Sequence, residues 1–221
     1  IQADSIRWAI DQMAANDTIS DASHKVSILA LCKSLSNSSN STGHFAQFLS
    51  PSKKNYGRVK QKRKVDLLEC FKGSLGTTRP RGSLQWRRNN RIFSKDAISL
   101  TRTLAGETVI PDVVYADPPY TNDQYSRYYH VLESAVLYDY PGVSGKGRYR
   151  PNRFCSEFSL ASRVERAFEE LIKGTAELGS SIVISYPENG LLKQSAERIP
   201  DLLSRHYSSV QRPIIINHTH S

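Results

Sequence analysis

The chain has 221 residues, 38% of them hydrophobic, and a formal net charge of +9. That is enough apolar material for a buried core in one or two globular domains, and it excludes a disordered tail. No run of about 18 apolar residues occurs, and the opening IQADSIRWAI lacks the pattern of a secretory signal, so the expectation is a soluble, cytoplasmic protein without a membrane partner.

Apolar residues at helical spacing predict helices over 4–15, through Ile6, Ile10 and Met13, and over 21–35, through Val26, Leu29 and Leu35, with Asp21 as N-cap of the second. The polar tract SNSSNSTG ends that helix and leads through GHFAQFLSP into a basic stretch. From Pro51 to Lys95 there are fourteen basic residues, among them Lys60, Lys62, Arg63, Lys64, Arg87 and Arg88, against Asp66 and Glu69 alone. Such a block is either a polyanion footprint, because each cation docked on a phosphate releases counterions, or a solvated basic loop; charge alone does not separate the two. Tyr56, Phe71 and Trp86 are interleaved and offer faces on which bases can stack. Gly57, Gly73, Gly76, Pro80 and Gly82 punctuate the stretch, and little regular structure is expected from 72 to 90.

Beyond residue 90 short apolar runs alternate with amphipathic segments: RIFS, then DAISLTRTL; DVVYA, then a helix over 123–140; a helix over 161–178, then SIVISY; a helix over 190–206, then SSVQRPIIIN. The alternation predicts an α/β fold with a mainly parallel sheet covered on both faces. Asp117-Pro118-Pro119-Tyr120 then falls at the carboxyl end of an inner strand, where open α/β sheets place ligand sites. A chance occurrence of these four residues in a chain of this length has a probability on the order of 0.001. Two prolines remove two backbone donors and stiffen the turn, so that a carbonyl and the Asp117 carboxylate converge as acceptors beside the flat face of Tyr120. That set suits an exocyclic amino group on a nucleobase, with two N–H donors to pair and one ring to stack. An amino nitrogen so held gains lone-pair character and becomes a nucleophile without a metal.

The DPPY segment resembles that of the adenine-specific DNA methyltransferases. So do GHFAQF at 43–48, IFSKDA at 92–97, ADPPYTNDQYSRYYHVLE at 116–133, KGRYR at 146–150, RFCSEFSL at 153–160, SYPENGLL at 185–192 and the final NHTHS, all in the family's order. The resemblance implies a Rossmann-like methyltransferase sheet with helices on both faces, and transfer of a methyl group from S-adenosylmethionine to N6 of a flipped adenine in double-stranded DNA; a non-catalytic DNA-binding remnant and an RNA adenine methyltransferase are the alternatives. A cognate restriction endonuclease is an implied partner. Carried over by position, Asp117 and the Pro118 carbonyl accept from N6, with Pro119 stiffening the turn, and Tyr120 stacks on the base. Asp96 and Ala97 meet the cofactor. By charge rather than by the resemblance, Arg148, Arg150 and Arg153 form a second basic cluster, on phosphates or in a solvated loop, and Arg148 and Arg150 join Lys60, Lys62, Arg63, Lys64, Arg87 and Arg88 as candidate DNA contacts. On this reading residues 1–50 are the helical N-terminal part of the catalytic domain, 51–90 an irregular basic insertion on DNA, and 91–221 the α/β catalytic core.

One part of the family pattern is missing, the F-x-G-x-G loop after a first strand. GVSGKG at 142–147 follows Pro141 rather than a strand, and VDLLECFKGSLG at 65–76 has its glycines out of register and is followed by an Arg-rich stretch. With Ile1 in place of an initiator Met, the expectation is an internal fragment lacking its first strands and its cofactor loop. Three further readings stay two-sided: His44 as a contact or a packing residue, His130 as channel lining or sheet packing, and Ser185 and Tyr186 as pocket wall or strand-end turn. His218 and His220 form a weak metal pair or a polar rim. Cys32, Cys70 and Cys155, odd in number and free of C-x-x-C spacing, read as reduced thiols.

Overall fold

The computed structural model describes residues 1–41 and 43–216; His218 and His220 lie outside the described residues. In chain order the elements are α1 (Gln2–Ala15), α2 (Asp21–Ser38), α3 (Tyr56–Arg63), α4 (Leu67–Thr77), α5 (Leu84–Arg88), α6 (Ala97–Leu104), β1 (Val113–Ala116), α7 (Tyr125–Tyr128), α8 (His130–Leu137), a 3-10 turn (Glu157–Ser159), α9 (Val164–Glu177), β2 (Ser181–Ile184) and α10 (Ser195–Ser204). The chain divides into two compact units, neither of them one continuous stretch: Ile1–Asn90 with Tyr125–Phe154, and Arg91–Gln124 with Cys155–Ser221.

The first unit is helical. Ile6, Ile10, Ile28, Leu31 and Leu67 form its core, with Leu35 and Phe71 packed against them. The buried face of α2 is turned from the stripe expected: Ala30, Leu31 and Ser34 are enclosed while Leu29 is exposed. The reason is the contact with α4, where two small polar residues meet and Ser34 Oγ donates to Ser74 Oγ at 2.9 Å. Ser20, not Asp21, caps α2, its hydroxyl accepting the Ser23 N–H.

The basic stretch is not irregular. Asp66 accepts from the Leu68 N–H at 2.8 Å and starts α4, so residues 67–77 are helix, and Ser83 accepts the Trp86 N–H to start α5. Glycine and proline spacing concealed these helices because each start depends on a single capping side chain. The helix expected over 123–140 breaks at Tyr129, leaving α7 and α8. Arg7, itself buried, donates from Nε to the Ala135 carbonyl at 2.8 Å and from Nη2 to the Val136 carbonyl at 3.2 Å, satisfying the open end of α8.

The second unit is mixed. β1 and β2 pair in parallel, Val113 opposite Ser181 through Ala116 opposite Ile184. Ala116 joins Phe158, Phe168, Ile172, Ile98 and Leu202 in the core, with Ile182 and Ile184 packed against it. Gly174 lets α9 approach α6, since a Cβ there would lie 2.3 Å from Thr101 Oγ1. Val113, Tyr115 and Val183 on the alternate positions are exposed, so this sheet is covered on one face rather than two among the described residues. RIFS and residues 208–216 are not strands. Ile92 and Ile214 are 97% and 85% exposed, and an apolar run with no neighbouring ladder to satisfy its amides does not become a strand. No helix of the described residues is long and apolar enough to cross a membrane.

Candidate active site

The Asp117 to Tyr120 turn leaves β1 at its carboxyl end because Pro118 and Pro119 offer no N–H to prolong the ladder. The last strand carbonyl, that of Ala116, accepts the Ser185 N–H at 2.9 Å. Pro118 is buried and anchors the turn, whereas Asp117 on one side and Tyr120 on the other are exposed. Among the described residues the Asp117 carboxylate makes no hydrogen bond or ion pair, and the Tyr120 ring, 44% exposed, makes no ring contact. An anionic acceptor and an aromatic face therefore stand within one turn, both open to a ligand.

Two other loops of this unit hold the turn. The Leu191 N–H donates to the Tyr120 carbonyl at 3.1 Å. Leu191 is fixed in turn by its neighbours: the Leu192 N–H donates to Tyr186 Oη at 3.1 Å, and the Tyr186 ring packs edge-on to Phe168 with centroids 5.0 Å apart. Gly190 runs so close to this ring that a Cβ would lie 2.5 Å from Tyr186 Cε1. Ser195 Oγ donates to the Pro187 carbonyl at 3.2 Å and closes the loop onto α10. Tyr186 thus braces the loop whose Leu191 N–H holds Tyr120. On the far side the Ser156 N–H donates to Gln124 Oε1 at 2.7 Å and Gln124 Nε2 donates to the Ser156 carbonyl at 3.3 Å. Ser159 Oγ, enclosed, donates to the Asp123 carbonyl at 3.2 Å. Leu191, Gln124 and Ser159 escaped the reading of the sequence, where Gly190 was expected only in a strand-end turn; the one signal they carry is position, inside SYPENGLL, ADPPYTNDQ and RFCSEFSL.

Asp96 is the N-cap of α6, Oδ1 accepting the Ser99 N–H at 3.0 Å, and Ala97 is the first helical residue; both are exposed. Neither makes a hydrogen bond to the DPPY turn among the described residues.

The candidate nucleic-acid residues lie in the helical unit and differ in how free they are. Lys60, Arg63, Lys64, Arg88 and Arg148 are exposed. Lys62 donates from Nζ to the Asn37 carbonyl and so closes the end of α2. Arg87 Nε donates to the Gly82 carbonyl at 3.2 Å, beside Trp86, which is 63% exposed. Arg150 is bidentate to Asp139 at 2.7 and 2.6 Å and reaches Ser134 Oγ at 3.1 Å, so its guanidinium joins its loop to α8. The Arg150 hydrogen bonds hold the Asp139 carboxyl below its ordinary value. His44 stacks on Tyr128, centroids 4.0 Å apart. His130 is buried, its Nδ1 2.8 Å from the Arg127 carbonyl and its ring edge-on to Tyr149. His130 is a packing residue of this unit, and half-buried His44 packs its ring on Tyr128. A cavity of about 420 Å³ beside Cys32, Lys33, Thr78 and Arg79 contains none of the motif residues. No cluster that could hold a metal ion is present among the described residues, and the three cysteines are free thiols.

Residues 86–183 match the family model of the D12 class N6 adenine-specific DNA methyltransferases, the family that the DPPY segments resemble. Among known proteins, the chain is 31% identical over 173 residues to modification methylase LlaI of Lactococcus lactis subsp. lactis, covering 78% of this chain and 25% of that protein. It is 37% identical over 118 residues to type II methyltransferase M.FokI of Planomicrobium okeanokoites, covering 53% and 17%. With type II methyltransferase M.NlaIII of Neisseria lactamica the identity is 34% over 106 residues, covering 47% and 28%. The chain therefore spans between 17% and 28% of the length of these relatives. No solved structure matches it.

Proposed function

We propose that this D12-class segment forms the target-base half of an S-adenosylmethionine-dependent DNA methyltransferase that acts on N6 of an adenine flipped out of the duplex. The observation that carries the reading is the exposed Asp117 carboxylate, without a partner among the described residues, within one turn of the exposed Tyr120 ring. An extruded adenine stacks on Tyr120, and its amino group donates to Asp117 and to the Pro118 carbonyl. Two acceptors on the amino hydrogens pull the nitrogen lone pair out of conjugation and aim it away from the ring. Extrusion costs a few kcal/mol, which stacking and these hydrogen bonds offset. Positioning and fixed charge are the contributions this turn makes.

A glycine-rich cofactor loop does not fit the described residues: the glycines at 73 and 76 sit inside α4, and Ser144 and Tyr149 close GVSGKG into a turn by paired backbone hydrogen bonds, while Asp96, capping α6 through Oδ1 alone, and Ala97 stay exposed for the cofactor. S-adenosylmethionine supplies an electrophilic methyl group in such chemistry, and the glycine-rich loop that would hold it beside Asp96 and Ala97 belongs, on this reading, to sequence outside residues 1–221. A Rossmann-like sheet, with further helices over the second face, accords with the exposed Val113, Tyr115 and Val183 of β1 and β2. The names of the relatives support modification of DNA, and a cytoplasmic location beside a cognate endonuclease goes with that reading. A second reading, a DNA-binding remnant without catalysis, is favoured by the same absent loop. S-adenosylmethionine calorimetry separates them: a longer chain that adds upstream residues binds the cofactor if the enzyme reading holds, and does not if the remnant reading holds.

The direct test is Asp117→Ala in that longer chain, by single-turnover methylation. Turnover should fall at least ~100-fold, roughly 2.7 kcal/mol, with cofactor and duplex affinity nearly unchanged. Near-normal turnover would show that the carboxylate does not hold the reacting amine.

A further inference from the structure

The chain leaves the mixed unit after Gln124 and re-enters it at Cys155. At this neck the Gln124 side chain behaves as a short piece of strand: its amide accepts from the Ser156 N–H at 2.7 Å and donates to the Ser156 carbonyl at 3.3 Å. The adjoining Asp123 carbonyl accepts from Ser159 Oγ, and Ser159 is 1% exposed beside the buried Phe158. The DPPY turn is held upstream by Ala116 and Tyr120 through the Ser185 and Leu191 amides. Thr121, Asn122 and Asp123 alone separate Tyr120 from Gln124, and within this span the Asp123 N–H donates to Thr121 Oγ1 at 3.3 Å. Apart from the contacts at Asp123 and Gln124, one backbone hydrogen bond holds Tyr120 among the described residues, while its chain continues into the excursion from Tyr125 to Phe154.

We propose that Gln124 is a positioning residue for the flipped base: by joining the outgoing and returning chains at Ser156 it fixes the span from Tyr120 to Gln124, and with it the plane of the Tyr120 ring. The inference rests on the reading of DPPY as the adenine turn. A glutamine suits the task because its amide carries a donor and an acceptor on one rigid plane and matches a backbone peptide at both points. The substitution Gln124→Glu keeps the acceptor for the Ser156 N–H and sets an oxygen against the Ser156 carbonyl, so one contact of two survives. The effect passes through geometry alone, and misplacement by about 1 Å at a reacting centre costs on the order of 100-fold.

The test compares Gln124→Ala and Gln124→Glu with the unsubstituted protein, in the longer chain that binds S-adenosylmethionine. Three readouts are taken: methylation kinetics, 2-aminopurine fluorescence at the target position, and hydrogen exchange of the backbone amides from Tyr120 to Gln124. Gln124→Ala should lower kcat at least about tenfold while the KM for duplex and the thermal midpoint stay nearly constant. Exchange across the span should quicken and the 2-aminopurine signal should report a mobile base. Gln124→Glu should lie between the two. The proposal is overturned if kcat is unchanged in Gln124→Ala, if kcat falls only in step with the folded fraction, or if exchange across the span stays as slow as before. Failure of the unsubstituted protein to methylate counts against the adenine reading instead, and the exchange readout then decides by itself whether Gln124 positions the turn.

Discussion

The backbone N–H of Leu191 donates to the carbonyl of Tyr120 at 3.1 Å, and this one bond ties the DPPY turn to the loop that follows β2. Its geometry depends on Gly190, where backbone passes so close to the Tyr186 ring that no side chain fits.

Gly190→Ala should therefore push Tyr186 off Phe168 and shift Leu191. Overpacking of this kind costs typically about 1–3 kcal/mol. A thermal or urea midpoint measured against the unsubstituted protein checks it. An unchanged midpoint would mean that Tyr186 turns aside freely, and the support argued for Tyr120 would go with it.

If Tyr120 stacks on an extruded base, its ring is the working part, since its Oη makes no hydrogen bond among the described residues. Tyr120→Ala should weaken capture of the extruded base by about 1–3 kcal/mol, the usual worth of a stacking partner, and Tyr120→Phe should be mild. The readout is 2-aminopurine fluorescence at the target position. Equal damage from the two substitutions would make the hydroxyl, not the face, the working part.

What could be read from the sequence follows the range of the interaction behind it. β1, β2, α6 and α9 were legible because each carries its own signal: Val113 to Ala116 and Ser181 to Ile184 are short apolar runs, DAISLTRTL is amphipathic, and α9 repeats Val164, Ala167, Phe168, Leu171 and Ile172 at helical spacing. The DPPY turn was legible for its chemistry, two prolines between a carboxylate and a ring. RIFS and residues 208–216 misled because an apolar run is a strand only when a neighbour supplies its ladder. In α3 Val59 is the buried residue and the rest is polar, so helical periodicity gave no trace. Gln124 was beyond reach for the opposite reason, since its role is defined by a partner 32 positions away.

Arg150 and Asp139 give an acid-dependent contribution. The hydrogen bonds from Arg150 lower the Asp139 pKa, so the folded state holds its proton less tightly than the unfolded chain, whose aspartate titrates near ~3.9. The contribution is fully present above that value and is lost as pH falls through the lower folded value. Thermal midpoints of the unsubstituted protein and of Asp139→Asn, taken from about pH 7 down to about pH 2.5, should differ at the upper end and converge at the lower. A gap that stays constant over the range would mean that the pair is lost in solution.

The basic stretch offers a prediction that distinguishes neighbours on one short helix. Lys60, Arg63 and Lys64 are exposed around the end of α3, while Lys62 points its ammonium at the Asn37 carbonyl. If the first three meet DNA phosphates, changing them together to Ala should flatten the slope of log affinity against log salt by about 0.9 for each contact removed. Lys62→Ala should leave that slope nearly intact and instead lower stability by about 0.3–1 kcal/mol, the worth of a cation at a helix carboxyl end. Fluorescence anisotropy with a labelled duplex over a salt series reads the slope, and a thermal melt reads the stability. If the triple substitution leaves the slope unchanged, this face of α3 is turned to solvent. If Lys62→Ala flattens it by a full contact, the ammonium leaves Asn37 for a phosphate when DNA arrives.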